Sequence, residues 1–140
     1  MSSTPYIAKQ IENARDAIAC HLRWKITLLL AASLREPLSQ RATRSIHHPE
    51  DCNIQKWLFS RHTLHLRATP EYRRVYDLHL AFHDVMRRIA DLINSGDFPQ
   101  AESLLNAPEP FQSASNALAN AIMALDRCEP PRVRPAEICC

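Results

Sequence analysis

Apolar residues return along this chain in steps of three and four, the period of a helix buried along one side. The first run places Ile7, Ile11, Ala14, Ile18, His21, Lys25, Leu28 and Ala32 on one stripe. Thr4 suits its N-cap and Pro5 its first helical position, so the spacing predicts a helix starting there. Pro37 disfavours helical geometry at Glu36, so that helix should stop near Arg35. A second strong run takes Tyr72, Val75, His79, Phe82, Met86, Ile89 and Ile93, with Thr69 as cap, Pro70 next and Gly96 as the stop. Between the two lie a polar connection, REPLSQRATRSIHH, and a short helix, PEDCNIQKWLFS, with Cys52 in its first turn. A second connection, RHTLHLRA, follows. A last helical region begins near Asp97 and Pro99, is interrupted at Pro108 and Pro110, and resumes through Phe111, Leu118, Ile122 and Leu125. The pattern leaves open whether the prolines kink one helix or separate two. The expected fold is all-α: an antiparallel four-helix bundle with a short extra helical segment carrying Cys52.

Composition supports helices. The 140 residues contain one glycine and ten prolines, too few flexible turn residues for a strand-and-turn architecture. The formal charge of +2 suggests neither a nucleic-acid nor a membrane-surface binder. The longest apolar stretch, ITLLLAA at 26–32, falls short of the roughly 20 residues a membrane span needs. The N-terminal sequence has no signal-peptide core. Both point to the cytoplasm. Five cysteines at irregular spacing suit thiols or metal ligands better than a disulfide framework. Residues 1–127 read as one domain. The proline-rich stretch 128–140 has too few large apolar residues to pack and is expected to be a disordered tail with incidental cysteines Cys128, Cys139 and Cys140.

The chemistry lies in the histidines that fall on apolar stripes. His79 and His83 are one helical turn apart, with Cβ atoms expected about 5–6 Å from each other. His21 occupies the first stripe with Trp24 beside it. A desolvated imidazole needs partners for its ring nitrogens, and three histidines with one thiolate form a common tetrahedral zinc set. Cys52 is the best thiolate candidate, because the first turn of a helix lowers a thiol pKa. Trp57 should anchor its segment. Cys20 adjoins His21 but points about 100° away on a helix, and reads as a small packing residue. The spacing alone leaves two possibilities open: ligands, or core histidines bonded to side chains and water. Other metal and enzyme readings fail on residues. HLAFH has Leu80 where a metalloprotease needs glutamate. The stripes carry no glutamate for a di-iron site. His62 with His65, and His47 with His48, lie in polar connections and read as solvated. A glycine-rich phosphate loop is impossible with one glycine.

HLRWK (His21–Lys25), CNIQKWL (Cys52–Leu58) and HLAFH (His79–His83), in this order and with these gaps, resemble the bacterial chemoreceptor zinc-binding (CZB) domain. The likeness spans roughly residues 5–127. It implies a four-helix bundle, often dimeric, that holds zinc through His21, Cys52, His79 and His83. It also implies regulation of an output such as a chemoreceptor signalling hairpin or a diguanylate cyclase, in response to zinc or oxidants such as hypochlorous acid. Gln55 stands where that family has glycine, and no diguanylate cyclase motif or long signalling coiled coil is present. The function expected is therefore a non-enzymatic zinc sensor or regulatory module acting in trans or as a homodimer. A metal-independent helical adaptor is the alternative. An enzyme using zinc-bound water comes last, because four ligands leave no open position.

Overall fold

Asn13, not Thr4, starts the first helix. The computed structural model describes residues 10–128, and Thr4 and Pro5 lie outside them. Residues 10–13 are not helical, and α1 runs over Ala14–Leu34. The Asn13 side chain accepts from the Asp16 N–H at 2.9 Å, and Asp16 in the first turn favours the positive end of the helix dipole. Asn competes with helical backbone through this bond, which is why the expected earlier start is not continuous with α1. The other end follows the expectation. Arg35 turns left-handed (φ 56°, ψ 48°) and Glu36 N–H closes onto Ala31 O at 3.0 Å, with Pro37 beyond.

The connection after it is not irregular. Ser39 caps a helix, α2 (Gln40–His47), by accepting from Ala42 N–H at 3.0 Å. Its one buried residue is Ile46, so no apolar stripe announced it. Pro49–Asp51 forms a single 3-10 turn, and α3 covers Asn53–Leu58 with Cys52 as its extended N-cap (φ −79°, ψ 137°) rather than inside its first turn. Arg61–Leu66 is a further 3-10 segment. It is held by the Thr63 hydroxyl, which donates to Leu58 O at 2.8 Å.

The long helix α4 spans Pro70–Asn94, with Thr69 accepting from Tyr72 N–H at 3.1 Å. Its buried set contains every residue of the predicted stripe, plus His83 and Ala90. Gly96, at φ +89°, makes the left-handed turn that follows. The prolines separate two helices: α5 (Phe98–Asn106) and α6 (Ser113–Cys128) flank a link in which Glu109 is extended. Cys128 is thus the last residue of α6 and not part of a tail; residues 129–140 lie outside the described region.

The described chain is all-helical, with no strand. Helices α1, α4, α5 and α6 pack against one another around Leu28, Phe82, Met86, Phe111, Leu118 and Ile122. Segments α2 and α3 lie on this core, α2 against α4 and α3 against both α1 and α4. Trp57 is buried, as its anchoring role required. In length and composition α1 is apolar enough to cross a membrane, contrary to what ITLLLAA alone suggested, and 33% of its most apolar window is buried. Two of its buried residues, Cys20 and His21, are adjacent in sequence and bear on the site described next.

Candidate metal centre

Three parts of the fold supply the candidate ligands. From α4, His79 and His83 project into the core one turn apart, their rings edge-on with centroids 4.5 Å apart. The Cys52 sulfur reaches them from the junction before α3, and the donor atoms of Cys52, His79 and His83 all lie within 4.8 Å of one another. All three residues are buried. Tetrahedral zinc bonds of about 2.0–2.3 Å place ligand atoms about 3.3–3.8 Å apart, so a short inward movement suffices. His21, on α1, falls outside this trio but is equally buried; its ring packs on Phe82 with centroids 4.6 Å apart and interacts with His79 and Cys52 electrostatically.

Each imidazole is held by one nitrogen and leaves the other idle. His83 Nδ1 lies 3.0 Å from Ile46 O, a group that only accepts, so Nδ1 carries the proton. His79 Nδ1 donates to Gln55 Oε1 at 3.0 Å. His21 Nε2 lies 2.8 Å from Ser115 Oγ on α6. Their opposite atoms, His83 Nε2, His79 Nε2 and His21 Nδ1, are buried with no hydrogen-bond partner among the described residues. A buried polar atom without a partner costs about 1–3 kcal/mol. Two of them belong to the group that includes Cys52, which marks a site for a ligand, and bonding of a metal-ligating histidine through its second nitrogen is the usual supporting arrangement. Trp57 Nε1 is also without a partner but is only a donor and cannot ligate.

Electrostatics suit a cation. Burial holds the His21 pKa down to about 4, with repulsion from Lys25 and His79 adding to it. Burial also lowers His79 against the opposing pull of Cys52. Both rings are therefore neutral near pH 7, with lone pairs available. The Cys52 thiol is pushed well below its ordinary value, chiefly by a hydrogen bond from Cys20 and further by His79 and His83, while burial opposes the shift. Cys20 moves the opposite way, upward, because it donates that bond and is itself buried. A thiol inclined to ionise beside buried imidazoles is a donor set for a soft or borderline divalent metal.

Of the four positions nominated from the sequence, Cys52, His79 and His83 converge as one group and His21 stands beside them. His62 and His65 sit on the 3-10 segment away from the group; His47 pairs with Asp91 at 3.0 Å and His48 with Glu50 at 3.7 Å. Sequence reading missed the supporting shell. Gln55, three residues after Cys52, bonds His79, so the departure from the family's glycine supplies a partner for a ring nitrogen. Neither Ser115, 94 residues from His21, nor a backbone carbonyl leaves a readable signal. Cys20 packs in the core as its position on α1 suggested, and its thiol is pushed up by its interaction with Cys52 and by burial. No family model, curated protein or solved structure matches the chain. The likeness to the chemoreceptor zinc-binding domain therefore stands on its three motifs alone.

Proposed function

We propose that this chain is a non-enzymatic zinc-binding sensory or regulatory module whose ligands are His21, Cys52, His79 and His83. The observation that carries the reading is the buried group of Cys52, His79 and His83, whose donor atoms lie within 4.8 Å of one another and whose two imidazoles each keep a nitrogen without a partner, with a third such nitrogen on buried His21. Zinc is favoured over harder metals because the donors are nitrogen and sulfur, with no carboxylate in the cluster. His21 completes the four by a shift of its ring toward the trio. The ion then ties α1, the Cys52 junction and α4 together, and any loss of the sulfur loosens that junction. Four protein ligands leave no position for a reacting water, so the role is regulatory rather than catalytic.

The mutually packed α1, α4, α5 and α6 suit the antiparallel four-helix bundle implied by the chemoreceptor zinc-binding domain. Self-association is part of the proposal: α1 exposes Leu22, Ile26, Leu30 and Leu34 at one-turn intervals, with Leu29 beside them. The output acts in trans or through the dimer, on a receptor-type or cyclase-type signalling partner. Elemental analysis of protein purified without added metal tests the centre. About one zinc per chain supports it; metal-free protein that also fails to take up added zinc leaves the helical adaptor.

A further inference from the structure

The near-balanced charge of the whole chain, +2, averages out a basic patch that the fold assembles. A cavity of about 550 Å³ opens between α1, α2 and residues 51–56. Arg23 comes to it from α1, Arg41 and Arg44 from α2 and Lys56 from α3, all four exposed. Asp51 is the one carboxylate in the lining and pairs with Arg44 at 3.5 Å, both side chains in solvent. An exposed pair of this kind contributes little, so an incoming anion can displace the carboxylate. The less exposed lining includes Trp24, whose indole offers a flat apolar face, and Ser45 and Asn53, which add uncharged hydrogen-bonding groups. No proposed zinc ligand lines this space.

We propose that the cavity binds a small phosphorylated molecule carrying a planar ring, of which a mononucleotide is the type. Its volume is that of a small-molecule pocket, roughly 300–1,000 Å³, which selects a metabolite over a protein segment or a duplex. Arginine forks meet phosphate oxygens two at a time, and lysine adds a point charge. Cations converging on a concave space concentrate their field there, unlike the same charges spread over a convex surface. Trp24 supplies the ring's partner, because indole stacks offset on another aromatic system. A purely apolar ligand leaves the cations unused, and a free phosphate leaves the indole unused.

A second cavity, of about 220 Å³, shares Asn53 and Lys56 with the first and has Trp57 in its lining. Trp57 Nε1 is the buried donor without a partner among the described residues that no metal can satisfy. A ligand extending into this space meets a donor in want of an acceptor.

The test titrates full-length protein by isothermal calorimetry with adenosine monophosphate and phenyl phosphate, and with adenosine and inorganic phosphate as separate halves. The two ring phosphates should bind saturably, at least about tenfold tighter than adenosine or inorganic phosphate. Arg41→Gln/Lys56→Gln, checked for native helicity, should weaken adenosine monophosphate at least about tenfold. Arg74→Gln/Arg88→Gln removes the same charge from exposed positions of α4 outside the cavity and should leave binding unchanged. Trp24→Leu should bring adenosine monophosphate down to the affinity of inorganic phosphate. Equal losses in the two double variants reduce the binding to general attraction and overturn the site, as does the absence of saturable binding by both ring phosphates. Adenosine binding as tightly as its phosphate overturns the anion assignment. Binding should persist after chelation, so failure of the zinc reading leaves this site standing.

Discussion

His79 and His83 share a helix face, yet what distinguishes them from ordinary core histidines is which nitrogen each has committed. Gln55 Oε1 and Ile46 O take the Nδ1 protons and leave both Nε2 atoms facing Cys52. His79→Ala and His83→Ala should each weaken zinc binding at least about tenfold, read by competition with a chelating dye, while His62→Ala and His65→Ala leave it unchanged. Gln55→Ala should also lose affinity, by roughly 10-fold, because it frees the His79 ring without removing a ligand. A second residue-level consequence concerns acid. Buried neutral His21 has a folded pKa near 4, below its unfolded value of 6.5, so the unfolded chain binds more protons between those limits. Metal-free protein is therefore expected to lose stability as pH falls through that window, by about 1–2 kcal/mol from pH 7 to pH 5. His21→Gln should flatten this dependence in urea titrations, and an unchanged slope would contradict the assignment. The candidate ligand types were legible because histidine on an apolar stripe violates the pattern; Ser115 was not, since a small residue in a core violates nothing.

Elements differ in how much of themselves the sequence exposes. Helix α4 was readable from end to end: cap, proline, the seven stripe positions and a glycine stop all agree. Helix α2 was not, because a helix lying on a core with one buried residue has no stripe to read. Its beginning depends on Ser39, and its last turn supplies the carbonyl that orients His83. Ser39→Ala should cost about 1 kcal/mol and also lower zinc affinity. Thr69→Ala, at the start of α4 and far along the helix from the histidines, should cost a similar amount of stability with zinc affinity unchanged. Denaturant curves and zinc titrations on the two variants separate a cap that supports the site from one that supports only the fold. If both leave affinity untouched, α2 does not position His83.

At the level of the molecule, the proposed centre would add a joint between pieces that already meet through apolar packing and a few buried hydrogen bonds. Zinc that binds only the folded chain raises its stability by about 2.7 kcal/mol at a hundredfold excess over the dissociation constant. Thermal melting should therefore shift upward on adding zinc and return with a chelator, and the shift should vanish in His79→Ala/His83→Ala. The exposed apolar row on α1 makes a separate prediction: Ile26→Glu/Leu30→Glu should reduce the apparent mass in light scattering from dimer to monomer without altering zinc content. A dimer that survives this change assigns the contact to another face. The all-helical class was legible because period, proline placement and the single glycine agree. The way that α2 and α3 lie on the core was not, since it depends on side chains distant in sequence.

The bond between His21 and Ser115 spans 94 residues and so bears on when the centre comes into being. During synthesis α4 emerges with its histidine pair already one turn apart, after Cys52 and His21 but well before Ser115. Two imidazoles on one helix can detain an ion loosely, whereas His21 keeps its ring orientation only after α6 has docked. Under the proposed function, ion capture is then a late event, and a ribosome-stalled product ending before Ser115 should exchange added zinc far faster than one extended past α6.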